Sequence, residues 1–301
     1  MKTVGHCLES TIARLQPGGE HVRTDAEELL GRLLGRSRTQ LYLDRDRQVT
    51  PEDVTTLERW IQRRLDGEPV QYITGRAAFR GLDLRVTPDV LIPRPETELL
   101  VESVLETLRV ERARWTSPRL LDLGTGSGAI ALALAMEWAD AQITATDQSE
   151  AALDVARRNA AELGLGDRVR FLRGRWLDAV PADERFEVVV SNPPYIADSE
   201  RDALPRDVRD HEPSSALFSG PSGLEDLRSI VEDAPRHLIG GGLLALELAE
   251  ARAQEVSSWL EGAHDWQGVE VRDDLAGRPR ILLARRQTGP AIAPAQWGEE
   301  R

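Results

Sequence analysis

Only one cysteine, Cys7, occurs in the 301 residues. A lone thiol closes no intrachain disulfide, and no Cys/His cluster stands at metal-ligand spacing, which argues against both a disulfide scaffold and a structural zinc site. Long apolar runs are missing too. No stretch approaches the roughly 18 apolar residues that a membrane span requires, and the N-terminus lacks the apolar centre of a secretory signal. Basic charge is in deficit: 38 Lys and Arg stand against 51 Asp and Glu, for a net charge of -13. Such a field repels nucleic acid and favours a neutral or basic partner. Pairs such as Arg63-Arg64 and Arg157-Arg158 read as solvated helix faces. The absences together predict a chain of the reducing cytoplasm that neither enters a membrane nor binds nucleic acid directly.

What is present suffices for a globular fold, since 41% of the residues are hydrophobic and the length allows one large domain or two ordinary ones. Up to about residue 75 the apolar spacing is helical, with Leu29, Leu30, Leu33 and Leu34 on one face and Val54, Leu57, Ile61 and Leu65 on another. Thr50-Pro51-Glu52-Asp53 marks a helix start, because Thr50 can cap a backbone N–H, Pro51 suits the first helical position and the two acids favour the positive end of the helix. Between Phe79 and Pro93 the segments Leu82-Asp83-Leu84-Arg85-Val86 and Val90-Leu91-Ile92, separated by Thr87-Pro88-Asp89, predict a hairpin.

Strands and helices then alternate: strand Arg119 to Leu123, helix Ala129 to Trp138, strand Gln142 to Thr146, helix Glu150 to Leu163, strand Val169 to Leu172 and strand Phe186 to Val190. This order predicts a parallel sheet with helices on both faces. A helix from Leu224 should end or kink at Pro235, a turn at Gly240-Gly241-Gly242 should precede strand Leu243 to Leu248, and Ile281 to Ala284 should form the last strand. The expected organisation is a helical domain over 1–76, a hairpin linker over 77–94, an α/β domain over 95–286 and an unstructured tail over 287–301, rich in Pro, Ala and polar residues without periodicity.

Two motifs carry chemistry. Leu120-Leu121-Asp122-Leu123 runs into Gly124-Thr125-Gly126-Ser127-Gly128-Ala129, a strand that ends in a glycine-rich turn and opens a helix. Glycines permit a tight turn and close approach of a ligand, and the helix start offers free N–H groups. Asp147 ends the next strand, 19 residues after Gly128, where a carboxylate can accept from ribose hydroxyls. The loop points to an adenosine-containing cofactor. Because Gly124, Gly126 and Ala129 also satisfy a dinucleotide pattern, a dehydrogenase stays open at this point.

The deciding segment is Ser191-Asn192-Pro193-Pro194-Tyr195, directly after an apolar strand. Pro193 and Pro194 stiffen the chain and lack N–H groups, so a backbone carbonyl and the Asn192 side-chain oxygen can be held towards a pocket. Acceptors so placed suit an NH2 group. A planar amide nitrogen is a poor nucleophile, so positioning it against an electrophile is most of the catalysis. Tyr195 can stack on the planar group, and no His stands in the motif as a base. These features predict methyl transfer from S-adenosyl-L-methionine to an amide-like nitrogen, with Asn192, Pro193 and Tyr195 at the reaction centre.

The sequence resembles the peptide chain release factor glutamine methyltransferases, which modify the glutamine of a Gly-Gly-Gln motif. The resemblance spans nearly all of the chain but the tail. It includes Asn192 to Tyr195, Gly124 to Gly128, Glu68-Pro69-Val70-Gln71-Tyr72-Ile73-Thr74-Gly75 and Leu91-Ile92-Pro93-Arg94-Pro95-Glu96-Thr97-Glu98, the last two being the more specific. Leu246-Glu247-Leu248-Ala249-Glu250 matches the family only loosely. The resemblance implies a Rossmann-like class I methyltransferase sheet, an S-adenosyl-L-methionine site made by Gly124, Thr125, Gly126, Ser127, Gly128, Asp147, Trp176 and Asn192, and a substrate glutamine received by Asn192, Pro193, Pro194 and Tyr195. Trp176, which by itself reads as core, would lie beside the adenine. The helical domain would help to hold the release factor. Two other readings compete: an adenine-amino methyltransferase acting on a flipped-out base, since its NH2 has the same geometry, and a non-catalytic cofactor-binding adaptor.

Overall fold

The computed structural model describes residues 2–16 and 21–288. The tail expected over 287–301 lies outside those residues except for Gln287 and Thr288; the Gln287 N–H donates to the Asp265 carbonyl at 2.8 Å.

Among the described residues the chain opens with the helices α1 (Val4–Leu15), α2 (Val22–Leu34), α3 (Arg38–Leu43), α4 (Pro51–Leu65) and α5 (Val70–Thr74). Helix α4 starts as its sequence dictates, with the Thr50 side chain accepting from the Asp53 N–H and Pro51 at the first position. Its inner face is Leu57 and Ile61, which join Leu8, Leu29, Leu30 and Leu41 in one apolar cluster. Leu65, expected on that face, is 40% exposed.

A hairpin follows, but not at the expected turn. Strands β1 (Arg76–Phe79) and β2 (Leu82–Arg85) pair antiparallel around Arg80-Gly81. Residues 90–92 form no strand. The Val90 carbonyl accepts from the Tyr72 hydroxyl at 2.6 Å and the Ile92 N–H donates to Glu212, so these backbone groups are spent on side chains rather than on a ladder.

Helix α6 (Thr97–Val110) leads into β3 (Arg119–Leu123), α7 (Ala129–Glu137), β4 (Gln142–Asp147), α8 (Glu150–Glu162), β5 (Val169–Arg173) and β6 (Phe186–Ser191). After the short helices α9 (Arg206–His211) and α10 (Ser214–Leu217) come α11 (Glu225–His237), β7 (Leu238–Glu247), α12 (Glu250–Gly262), β8 (Trp266–Asp273) and β9 (Pro279–Arg286). The seven strands lie in the order β5-β4-β3-β6-β7-β9-β8. The first five in that order are parallel; β9 runs opposite to them and pairs antiparallel with both β7 and β8.

The sheet is therefore mixed where a parallel one was expected. Strand β8 escaped the sequence reading because it is a polar edge strand, and its Gln-Gly-Val-Glu-Val-Arg-Asp stretch lacks a buried alternation. The glycines at 240–242 lie inside β7, not in a turn before it: the pairing jumps from Phe186↔Leu238 to Val188↔Leu243, an irregularity that glycines absorb. Pro235 sits in the last turn of α11, which continues to His237.

Side chains alternate across the sheet with period two. Leu120, Val188 and Val190 pack on the face covered by Leu100, Val104, Leu132 and Leu134. Leu121, Val189 and Leu244 pack on the other, against Leu227, Ile230, Val256 and Leu260. Helix α7, almost wholly apolar, is buried along nearly its whole length.

Candidate active site

The chain begins the sheet at β3, moves outward through β4 to β5, then returns to β6 on the other side of β3. Such a reversal opens a crevice beyond the carboxyl ends of the two central strands. Both sequence motifs arrive there, since Leu123, which precedes the glycine loop, pairs with Ser191, which precedes Asn192.

In the loop Gly124, Gly126 and Gly128 have φ of 69°, 56° and 85°, a region that disfavours side chains. Beyond the Cα of Gly126 there is open space where a Cβ would stand. Asp122 secures the loop from beneath. Its Oδ2 accepts from the Thr125 hydroxyl at 2.6 Å and from the Ala131 N–H in the first turn of α7 at 3.2 Å. Its Oδ1 is buried without a partner. Burial, aided by the charge of Asp147, pushes the Asp122 carboxyl up to about 7.

Asp147 ends β4 and ties the loop to the start of α8: Oδ2 accepts from the Gly126 N–H and Oδ1 from the N–H of Ser149, the residue that caps α8, both at 2.9 Å. Burial raises this carboxyl as well, against those backbone bonds. Trp176 stands opposite. Its φ of 46° is a left-handed conformation, costly for a bulky residue and held here by two bonds. The indole Nε1 donates to Asp226 Oδ1 at 2.9 Å, and the carbonyl accepts from the Thr146 hydroxyl at 3.2 Å. The ring lies against Gly124, where a Cβ would stand 2.8 Å from Trp176 Cζ3.

Gly124, Gly126, Asp147, Trp176, Asn192 and Pro194 all border one cleft with about 620 Å³ of free space, part of it open to solvent. A second cleft of about 650 Å³ is bordered by Arg94, Asn192, Pro193, Pro194, Tyr195 and Val208. Asn192 and Pro194 border both, together with Leu91 and Ala216, so these residues form the wall between them. The structure does not bring Thr125, Ser127 and Gly128 to either cleft. Thr125 and Ser127 are buried, and Gly128 packs so closely that a Cβ would stand 2.9 Å from Leu132 Cδ1.

Behind the wall is a buried polar chain. Asn192 Nδ2 donates to Thr97 Oγ1 at 3.1 Å, and that hydroxyl donates to Glu247 Oε2 at 2.7 Å. Burial pushes the Glu247 carboxyl up to about 7. Arg94 reaches from the same segment to the buried Glu212 carboxylate at 2.5 Å. Tyr195 is half-buried, and desolvation of its hydroxyl, with the nearby charge of Glu247, pushes it up to about 12. Thr97, Glu247, Asp122 and Asp226 were not singled out from sequence as functional residues. A signal existed for two of them, since Asp122 and Glu247 are lone acids in otherwise apolar strands.

The first cleft fits an adenosyl sulfonium: backbone and open space at Gly126, a carboxylate at Asp147 and an indole face at Trp176 are the groups that phosphate-free nucleoside binding needs. Among the described residues no group of three or more His, Cys, Asp and Glu could hold a metal ion, and no helix is long and apolar enough to cross a membrane.

A family model described as methyltransferase small domain matches residues 96–207, and one described as PrmC N-terminal domain matches residues 6–75. Among solved structures, the hMettl16 catalytic domain in complex with MAT2A 3'UTR hairpin 6 aligns with a TM-score of 0.55 at 15% identity, over 81% of this chain and 85% of that one, a likeness of fold. Fold and site together define a class I S-adenosylmethionine-dependent methyltransferase.

The release factor glutamine methyltransferase of Chlorobaculum tepidum is 46% identical over 290 residues, covering 95% of this chain and 98% of that protein. Those of Coxiella burnetii and Rhodopirellula baltica are each 40% identical, covering 95% and 88% of this chain and 100% and 90% of theirs. The chain belongs to the release factor glutamine methyltransferase family.

Proposed function

We infer that the protein transfers a methyl group from S-adenosylmethionine to the side-chain amide nitrogen, N5, of the glutamine in the Gly-Gly-Gln motif of peptide chain release factors. The observation that carries this reading is the position of Asn192 and Pro194 in a wall common to two clefts, one suited to the cofactor and one to a planar amide. Relatives of nearly full length that bear this activity in their names support it.

S-adenosylmethionine, when bound, supplies an electrophilic methyl group on a sulfonium sulfur. The loop at Gly124 and Gly126, the Asp147 carboxylate and the Trp176 ring hold the adenosine, while Thr125, Ser127 and Gly128 shape the loop from within. Asn192 Oδ1 and a carbonyl of the Pro193-Pro194 segment accept the two amide N–H groups. Tyr195 packs on the amide plane. An amide lone pair is delocalised, so catalysis rests on fixing this nitrogen in line with the methyl group. The new N–C bond would replace the sulfonium C–S bond, leaving S-adenosylhomocysteine, and one of the two amide protons would pass to solvent. The helical segment over 1–76 holds the body of the release factor, a partner met in the cytoplasm, and no nucleic acid enters the second cleft.

The test is methyl transfer from labelled S-adenosylmethionine to three substrates: a release factor, the same factor with its Gly-Gly-Gln glutamine replaced, and unmethylated DNA. Label on the intact factor alone supports the reading. Label on DNA would favour an adenine-amino methyltransferase, and label on none of them would leave a cofactor-binding adaptor.

A further inference from the structure

Asn192 reaches the wall between the clefts with two chemically opposite ends of similar shape. Oδ1 accepts and Nδ2 donates, and only the first can receive a substrate N–H. If the amide were turned over, an NH2 would face an NH2 and the substrate nitrogen would be repelled. Something must select the orientation.

The selection lies one and two residues deeper. Thr97, the first residue of α6, is 4% exposed, and Glu247, the last of β7, is 1% exposed. Above its raised pKa of about 7 the Glu247 carboxylate only accepts, so there the single hydroxyl proton of Thr97 goes to Glu247 Oε2 at 2.7 Å. The lone pairs of Thr97 Oγ1 are then all that Asn192 meets at 3.1 Å, and they bind an N–H. Nδ2 is drawn inward and Oδ1 is left for the cleft. Three separate elements converge to make this chain, because the ends of β6 and β7 are neighbours at Ser191↔Leu246 and the start of α6 packs over them. Burial opposes the ionised carboxylate most strongly; the hydrogen bond from Thr97 and the charges of Arg280 and Arg94 favour it, and the charge of Glu96 opposes it.

We propose that Thr97 and Glu247 are positioning residues that fix the orientation of the Asn192 amide, so that its oxygen and not its nitrogen meets the substrate. The proposal rests on the role given to Asn192 above. It assigns a purpose to the Thr within Arg94-Pro95-Glu96-Thr97-Glu98 and to a buried acid that otherwise touches neither cleft.

Three variants test it, each assayed for kcat, for KM of the release factor and for cofactor affinity. Thr97→Val keeps the shape and removes the hydroxyl. It should lower kcat by about tenfold or more while cofactor affinity stays within about twofold, because only the approach of the amide is disturbed. Thr97→Ser restores the hydroxyl and should recover most of kcat, whatever either variant does to thermal stability. Asn192→Ala should be inactive. The proposal is overturned if Thr97→Val turns over like the wild type while Asn192→Ala is dead, or if Thr97→Ser is as slow as Thr97→Val. Full turnover by Asn192→Ala would instead remove the site reading on which it stands.

Discussion

The Ser191 hydroxyl donates to the Leu123 carbonyl at 2.7 Å, a buried bond that ties together the ends of β3 and β6. Each strand leaves the sheet immediately beyond that bond, one as the glycine loop and the other as Asn192-Pro193-Pro194-Tyr195. The glycine loop and the Asn-Pro-Pro-Tyr segment, to which we assign the methyl donor and the amide, are thus brought side by side by strand pairing and one side-chain hydrogen bond. A relation set by the sheet is rigid, which suits a reaction whose catalysis is alignment.

Asp147 makes two backbone hydrogen bonds at the edge of the first cleft and still lines it. Asp147→Ala should weaken cofactor binding by about 1 to 3 kcal/mol, the range for losing hydrogen bonds to a charged group. Titration calorimetry with S-adenosylhomocysteine reads this directly, and an unchanged affinity would take Asp147 out of the cofactor site.

Gly124 combines a φ of 69° with a Trp176 ring atom 2.8 Å from where a Cβ would stand. Gly124→Ala must either strain the loop or displace the indole, and the cost should be about 1 to 3 kcal/mol of stability. Because Trp176 borders the cleft, cofactor affinity should fall in parallel. Chemical denaturation and calorimetry on the same variant check both, and a variant with native stability and affinity would show that the ring does not rest there.

The Asp122 carboxyl is raised to about 7 in the folded protein by burial, against about 3.9 in an unfolded chain. Below pH 4 both states hold the proton and the contribution of this group is fully present. Between about pH 4 and 7 the unfolded chain releases its proton while the folded one keeps it, so stability falls as pH rises, by about 1 kcal/mol per pH unit from this group. Asp122→Asn carries no proton to lose and should flatten that part of the stability profile. Parallel profiles for wild type and variant, measured by denaturation from pH 4 to 8, would contradict the assignment.

Asp226 Oδ1 receives both the Trp176 Nε1–H and the Arg175 guanidinium, each at 2.9 Å. Asp226→Ala should therefore loosen Trp176 without touching the second cleft. The expected result is a raised KM for S-adenosylmethionine with KM for the release factor unchanged; a shift in both, or in neither, would mean that the indole is not held through this bond.

Much of this site could be read from residue order, and the reason is local. A glycine loop between an apolar strand and a helix, and an Asn-Pro-Pro-Tyr run after another strand, carry their meaning within a few residues. So Gly124, Gly126, Asp147 and Asn192 to Tyr195 are legible from residue order, whereas Trp176, which by itself reads as core, enters only through the family resemblance; all of them border the two clefts. What could not be read is what depends on contact between distant segments. Thr97 and Glu247 are 150 positions apart and become partners only because the start of α6 packs against the end of β7. The same holds for the fold. Strands with apolar alternation, such as β3 and β6, were evident, whereas β8 is a strand because β9 pairs with it, not because its side chains are apolar. The hairpin was misplaced for a related reason: Tyr72 and Glu212, remote in sequence, take the backbone groups of residues 90–92.

The central claim is that an amide nitrogen of glutamine is the methyl acceptor, and the most direct test is to find the methyl group. A release factor incubated with the protein and S-adenosylmethionine, then digested and sequenced by tandem mass spectrometry, should carry one added methyl on the side chain of the Gly-Gly-Gln glutamine and on no other residue. A methyl group on a different residue, or a release factor left unmodified while the protein is shown to bind the cofactor, would contradict the account.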